Sequence, residues 1–142
     1  MLEEKDRVII QHLRADARSK LTALSKQTDI PLSTLYDRLT RLTDQQNIRL
    51  VTLLNYRELR LPLHCWVLLK AKDKEQAQEH LLKHPSINTL LAVNNGADFA
   101  LEAVFRDFKE YNQFLEELSE HGKIQEHPVI EEVCKEKARV AT

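Results

Sequence analysis

The hydrophobic pattern of this 142-residue chain changes its period near residue 62, and this change constrains the fold more than any other feature. Before that point, apolar residues recur every three or four positions, as in amphipathic helices. After it, apolar runs of strand length alternate with helical segments. The chain is therefore predicted to be an α+β protein with a helical front domain and a mixed back domain.

The front of the chain predicts three short helices. Ile9 and Leu13 share one face of the first helix, and "LTALSKQT" forms the second. "DIP" is a turn, and Pro31 suits the first turn of a third helix that runs to about Asp44. Asn47 tolerates a left-handed conformation and is the expected stop. Two helices joined by a tight turn make a helix-turn-helix.

The segment "IRLVTLLNY" reads as extended and is predicted to supply a wing and a linker strand. The resulting domain boundaries are 1–50 for a winged helix-turn-helix, 51–61 for the linker strand and 62–138 for the second domain.

The back of the chain predicts the order β-α-β-β-α-β, the ferredoxin-like arrangement. Asn95 and Gly96 form an Asn-Gly hairpin signal between the middle two strands. Gly122 is expected to close the second helix as a C-terminal cap. The strands are "LHCWVLLKA", "INTLLAVN", "DFALEAVFR" and "KIQEHPVIEEVCKEK", and the helices are "KEQAQEHLLKH" and "DFKEYNQFLEELSEHG".

The strands are apolar on both faces, although two helices can cover only one face of the sheet. A second copy of the domain could bury the other face without a different partner. The sequence therefore predicts a symmetric homodimer through the sheets. The residues expected at this interface are His64, Trp66, Leu68, Leu90 and Val104.

The third helix has a leucine face and a polar face. At 100° per residue, Leu32, Leu35, Leu39 and Leu42 fall in one inward sector. Short hydroxyls and arginine suit contacts to phosphate and to guanine, so the opposite face fits DNA. An ordinary solvated helix face is the alternative, and Asp37 could instead pair with a neighbouring arginine. The candidate DNA-contacting residues are Ser33, Thr34, Tyr36, Asp37, Arg38 and Arg41.

Charge permits DNA binding by the front half without demanding it. The net charge of the chain is −1. Residues 1–50 carry nine basic and seven acidic side chains, whereas residues 51–142 carry twelve basic and fifteen acidic side chains. Two cysteines without close spacing indicate free thiols in a reducing compartment. With neither a signal peptide nor an apolar run of membrane-spanning length, the chain is expected to be cytoplasmic and to have no membrane partner.

No catalytic pattern, cofactor fingerprint or metal site emerges from the sequence. His80 and His84 are four residues apart on a predicted helix, but no third ligand occupies an obvious position. No Ser-His-Asp arrangement or glycine-rich phosphate loop is present. The chain is therefore expected to be neither an enzyme nor a carrier of a cofactor.

Four stretches resemble the Lrp/AsnC family of transcription regulators and together span nearly the whole chain. "LEEKDRVIIQHLRADAR" is similar to the family's opening, "LTALSKQTDIPLSTLYDRLTRL" to its helix-turn-helix, and "RDFKEYNQFLEEL" to the second helix of its effector-binding (RAM-type) domain. The pieces occur in the family's order and spacing, and "NIRLVTLLNYREL" resembles the segment that follows the helix-turn-helix.

The resemblance implies a sequence-specific regulator that binds double-stranded DNA through paired winged helix-turn-helices. It also implies homodimers through the sheets, assembly to tetramers or octamers, and a small effector such as an amino acid. The family's hairpin pattern aligns with Asn94, Asn95, Gly96 and Asp98, which become candidate effector-binding residues, although a simple type I′ hairpin also explains them.

The chain departs from the family pattern at three sites near the DNA-facing helix, one of which is Pro31-Leu32, where the family has Ser-Pro. Asp29 replaces the turn glycine, and Asp tolerates the left-handed conformation that such a turn needs. Asp37 replaces a residue that is often basic, which indicates an unusual sequence preference.

Two other functions fit the same architecture. One is a tetrapyrrole (sirohaem) decarboxylase, in which histidines together with Arg60 or Arg106 would meet a carboxylate-rich substrate. The other is a relative that organises chromatin by binding DNA without sequence specificity.

Overall fold

The computed structural model describes residues 2–45 and 47–136, which form one compact unit of residues 2–53 and another of residues 54–135. The first unit contains three helices: α1 (Glu4–Ala15), α2 (Leu21–Thr28) and α3 (Leu32–Asp44). Their apolar faces meet in a single core, as the helical periodicity predicts. Its buried members are Ile9, Ile10, Leu24, Ile30, Leu35 and Leu42.

The turn between α2 and α3 is held by side chains of α2. Asp29 has φ 55°, the left-handed conformation expected where the family has glycine. The Ser25 hydroxyl donates to the Ile30 carbonyl at 2.6 Å, and the Thr28 hydroxyl donates to the Leu24 carbonyl at 2.8 Å. The first of these bonds ties the residue before Pro31 back to α2, and the second lies within α2.

The ends of α3 differ slightly from expectation. Pro31 precedes the helix as its N-cap and does not lie in the first turn. The helix ends at Asp44 with Gln45 as the C-cap, whereas Asn47 lies beyond the end and donates its backbone N–H to the Leu42 carbonyl at 2.9 Å.

The linker strand expected at residues 51–61 is not formed in this single chain. Residues 51–55 have no regular secondary structure, and residues 56–60 form turns. A strand needs a neighbouring backbone to satisfy its N–H and C=O groups, and among the described residues no strand pairs with this segment.

The second unit is a four-stranded antiparallel sheet with two helices. The strands are β1 (Leu63–Ala71), β2 (Ile87–Ala92), β3 (Phe99–Phe105) and β4 (Gly122–Pro128), and the helices are α4 (Lys74–Lys83) and α5 (Phe108–His121). The strand order is β2-β3-β1-β4, as the ferredoxin-like prediction requires. The last strand ends at Pro128, so the part of the expected strand that covered residues 129–136 is wrong.

Alternate residues of the central strands face the two sides of the sheet. Cys65, Val67 and Leu69 of β1 face α4 and α5 and are buried in the core. The other side, which we call the open face, carries the intervening residues of β1 and those paired with them on β3 and β4. Its apolar members include Trp66, Leu68, Leu91, Ala100 and Val104.

Leu90 does not lie on the open face, and its expected placement there is wrong. A register irregularity between Ile87 and Thr89 shifts the alternation of β2 by one residue. Leu90 therefore pairs with Leu101 and packs against the core beneath the helices, whereas Leu91 takes its place on the open face.

Gly122 is the C-cap of α5, as expected, but glycine is needed here for space and not for a left-handed conformation. Its φ of 162° is ordinary extended backbone. A Cβ at this position would lie 2.0 Å from the backbone oxygen of Lys70, so β4 can begin against β1 only with glycine here.

Candidate DNA interface and effector site

The outward face of α3 presents most of the candidate DNA-contacting residues to solvent. Ser33, Tyr36 and Asp37 are exposed, Tyr36 by 57%, and Thr34 is half-buried. Among the ion pairs of the described residues, none includes Asp37, so the structure does not pair it with a neighbouring arginine.

Arg38 faces α1 and is held there by two carboxylates. Its guanidinium donates to Asp6 at 2.9 Å and to Glu3 at 2.7 Å, and only 17% of the side chain is exposed. Two charge-assisted hydrogen bonds to separate acceptors leave little of the guanidinium free for DNA.

Arg41, one turn further along, shares the same acid but remains more open. Its Nη2 lies 3.0 Å from Asp6 Oδ2, and 42% of the side chain is exposed. Its guanidinium has donors to spare because a single guanidinium carries five N–H groups.

Asp6 is the buried hub of this cluster, which we call the Asp6 clasp and define as Glu3, Asp6, Arg38 and Arg41. Burial acts to raise the pKa of Asp6, but hydrogen bonds from Arg38 and from the Glu3 backbone N–H, with the charge of Arg41, outweigh burial and lower the pKa. The clasp was not predicted from the sequence. The sequence feature that could have revealed the clasp is an acidic residue, Asp6, on the same helical face as Ile9 and Ile10.

The hairpin between β2 and β3 lies beside a cleft at one end of the open face. Asn95 and Gly96 have φ of 65° and 104°, as the Asn-Gly signal predicts. Asn94, Asn95 and Gly96 line the cleft, which has a volume of about 410 Å³. The structure thus brings together three of the four candidate effector residues.

Asp98, the fourth candidate, does not line the cleft. It is buried, and its carboxylate accepts from the Ala71 backbone N–H at 3.0 Å. Lys74 and Lys70 lie 3.0 and 3.3 Å from it. The hydrogen bond from Lys74 is the largest reason that the pKa of Asp98 is lowered; burial opposes it, while Lys70 and the Ala71 N–H assist.

His64 lies on the open face in a polar cluster with a buried acid. Its Nε2 is 2.8 Å from Glu102, which also accepts from Thr89 at 2.6 Å and from Asn88 at 2.7 Å. Burial acts to raise the pKa of Glu102, but these hydrogen bonds and the charge of Lys135 outweigh it and lower the pKa. The sequence signal for this site was a single glutamate within the apolar strand β3.

The remaining histidine cluster lies on the opposite side of the sheet. His80 of α4 and His84, the C-cap residue of α4, lie near His121 of α5, whose ring centroid is 4.5 Å from that of His80. In the part of the chain that the structure describes, no group of three or more His, Cys, Asp or Glu residues is arranged to hold a metal ion. Arg106, proposed for the enzyme alternative, is paired with Glu110.

Comparison with known families matches both units. The family model described as the Lrp/AsnC ligand binding domain matches residues 64–138, and the winged helix-turn-helix DNA-binding model matches residues 2–48. The chain belongs to the Lrp/AsnC family. It is a DNA-binding transcriptional regulator with a ligand-binding domain, and its fold is the winged helix-turn-helix followed by a ferredoxin-like domain.

Several relatives of this Lrp/AsnC regulator come from archaea. It is 29% identical to the HTH-type transcriptional regulator PYRAB04820 of Pyrococcus abyssi, over 99% of each chain. It is 28% identical to the HTH-type transcriptional regulator FL11 of the same organism, over 81% of this chain and 78% of FL11.

Solved structures agree on the fold. The Lrp/AsnC chain matches B. subtilis LrpC with a TM-score of 0.87 at 21% identity, over 96% of this chain and 99% of LrpC. It matches the transcriptional regulator NMB0573 of Neisseria meningitidis, solved as an L-Met complex, with a TM-score of 0.84 at 24% identity, over 99% and 97% of the two chains. None of the helices in residues 2–45 and 47–136 is long and apolar enough to cross a membrane.

Proposed function

We propose that this regulator reads specific DNA sites through the outward face of α3, presented in pairs by a homodimer. The observation that carries the proposal is the solvent-facing row of Ser33, Tyr36, Asp37 and Arg41 on the helix after the turn. Helices at this position of a helix-turn-helix enter the major groove and contact base edges. Thr34 lies at the flank of the row and adds a hydroxyl for a phosphate.

Arg38 has a different proposed role from that of Arg41. Because Asp6 and Glu3 hold its guanidinium, Arg38 orients α3 against α1 and does not contact DNA directly. Arg41 is the exposed arginine of the clasp and is the proposed contact to phosphate or guanine.

Paired DNA-binding units are needed because one unit carries little positive charge. With nine basic and seven acidic residues, residues 1–50 neutralise few phosphates. Two linked units gain affinity because the second binds at a high effective concentration. Two recognition helices in successive major grooves then lie about one helical turn, roughly 34 Å, apart.

The open face of the sheet is the proposed dimer interface. Trp66, Leu68 and Val104 are half-buried there, and Leu91 replaces Leu90 in the set. His64 lies at the same face with its Glu102 partner. An apolar sheet face bordered by polar residues is suited to a second copy, and further association of dimers would give tetramers or octamers.

The effector is proposed to be a small carboxylate such as an amino acid, bound in the cleft beside the hairpin. The match to NMB0573, whose structure is an L-Met complex, supports this class of ligand. The volume of about 410 Å³ is in the range of small-molecule sites. Asn94, Asn95 and Gly96 are the proposed contacts, whereas Asp98 supports the cleft from behind.

The DNA proposal is tested by selecting bound sequences from a random DNA pool and measuring affinity against salt. Arg41→Gln should weaken binding to the selected site about tenfold and, if Arg41 meets a phosphate, reduce the salt slope by about one. Arg38→Gln should lower the melting temperature and leave the slope unchanged. Arg106→Gln, in the second unit, is the matched control.

Unchanged affinity and salt slope in Arg41→Gln would contradict the assigned contact. A pool that yields no common sequence would favour the chromatin-organising alternative, whereas a bound chromophore in the purified protein would favour the tetrapyrrole enzyme.

A further inference from the structure

The cleft beside the hairpin has a charge pattern that selects among small carboxylates. Lys70 of β1 and Lys123 of β4 are directly paired in the sheet register, and both line the cleft. Like charges that face each other across two strands are destabilising, so an anion bound between the two lysines would reduce their repulsion.

The lysines differ in their existing partners. Lys70 Nζ lies 3.3 Å from the Asp98 carboxylate, which already accepts from Lys74 and from a backbone N–H. Among the ion pairs of residues 2–45 and 47–136, none includes Lys123, which is exposed. Lys123 is therefore the cation most available to a ligand carboxylate.

Among the described residues, none that lines the cleft has an acidic side chain that could receive a ligand ammonium group. Apart from the two lysines, its polar side chains are the amides of Asn94, Asn95 and Gln125. Asp98 and Glu126 each follow a wall residue directly, but Asp98 is buried and bonded to two lysines, and Glu126 accepts from the Tyr111 hydroxyl. An α-ammonium group beside Lys70 and Lys123 would meet like charge and would find only uncharged carbonyl oxygens as acceptors, whereas an oxygen acceptor could take hydrogen bonds from an amide N–H or a lysine.

Leu68 and Val93 give the cleft an apolar side as well. We propose that the preferred effector is a short carboxylate with an apolar chain and an acceptor at the α-carbon, as in a 2-oxo acid, rather than the corresponding zwitterionic amino acid. This inference rests on the proposed function of the cleft as the effector site and names the chemistry of its ligand.

The test is isothermal titration of the full chain with two matched pairs, L-leucine against 4-methyl-2-oxopentanoate and L-methionine against 4-methylthio-2-oxobutanoate. Each 2-oxo acid should bind about tenfold or more tightly than its amino acid, because one like charge near two lysines is removed. Lys123→Gln should weaken 2-oxo acid binding about tenfold, Lys123→Arg should restore it, and Lys109→Gln on α5 is the control.

Each outcome decides a separate claim. Equal or tighter binding of the amino acids would overturn the inference, and if that binding also needed Lys123 the proposed effector cleft would stand. Binding of the 2-oxo acids that Lys123→Gln leaves unchanged would overturn the site. If neither class bound a protein that still bound its DNA site, the inference would fail while the DNA-binding function remained. The comparison of ligands on the unaltered chain decides the matter even if Lys123→Gln does not fold.

Discussion

Asp6 lies between two arginines of α3, the proposed DNA-contacting helix, and its ion pairs hold that helix against α1. The carboxylate is 1% exposed and is bonded to Arg38, to Arg41 and to the Glu3 backbone N–H. A buried acid without partners would be costly, but here each oxygen has a donor. Asp6 anchors α3 and also binds Arg41, which is the proposed phosphate contact, and we therefore expect the clasp to affect DNA affinity as well as geometry.

Replacement of Asp6 by Asn should loosen α3. The change removes the charge that two arginines share, and we expect the melting temperature to fall by roughly 4–8 °C, which corresponds to about 1 kcal/mol in a unit of this size. Differential scanning calorimetry measures the shift, and Asp44→Asn, exposed at the end of the same helix, is the matched control.

The pH dependence of that shift follows from the pKa of Asp6, which is lower in the folded chain than in the unfolded chain. Its stabilisation is therefore fully present above the unfolded value of about 4 and is lost as pH falls through the folded value. The difference in melting temperature between the two proteins should shrink below about pH 4. A difference that is constant from pH 3 to pH 7 would contradict the role of the carboxylate charge.

At the scale of the elements, the start of β4 depends on the close approach of two backbones. The register pairs Gly122 with Ala71, and any side chain at Gly122 would meet the Lys70 carbonyl. The residues that follow in β4, including Lys123, are positioned in the cleft by this pairing. Gly122 therefore affects the candidate effector site by allowing β4 to pair closely with β1.

Gly122→Ala should cost about 1–3 kcal/mol of unfolding free energy, because the new methyl group must displace backbone and not a flexible side chain. Urea unfolding monitored by circular dichroism measures the loss. Glu120→Ala, on the exposed surface of α5, should change stability by no more than about 0.5 kcal/mol. Equal stability of the two variants would show that the strands can separate at little cost.

At the scale of the whole molecule, one face of the sheet is not covered by α4 or α5. The helices α4 and α5 cover the side that carries Val67 and Leu101, whereas Trp66 and Leu91 lie on the open face. Proposed DNA recognition by paired units requires that this face bring two copies together.

Trp66→Ala should raise the dimer dissociation constant by roughly thirtyfold or more, since truncating a central tryptophan costs about 2 kcal/mol at many interfaces. Sedimentation velocity over a dilution series measures the constant. Phe108→Ala removes an aromatic ring that is 68% exposed on α5 and should leave it unchanged. A dimer constant equal in both variants would place the interface elsewhere.

Much of the fold follows from hydrophobic periodicity and turn residues that can be recognised in the sequence. The bounds of α2 and β1 match their apolar segments, Asp29 takes the left-handed conformation, and the order of elements predicts the sheet topology. These features depend on neighbours within a few residues, which is why periodicity and turn chemistry predict them. The same local patterns identified the polar face of α3.

Contacts between distant residues were decided only by the tertiary structure. A one-residue irregularity in β2 turned Leu90 toward the core, and side chains 32 residues apart made Arg38 a partner of Asp6. The pairing of Lys70 with Lys123 likewise arises from strand register. Sequence periodicity determines which face a residue belongs to within one regular element, but register and long side chains determine what that face meets.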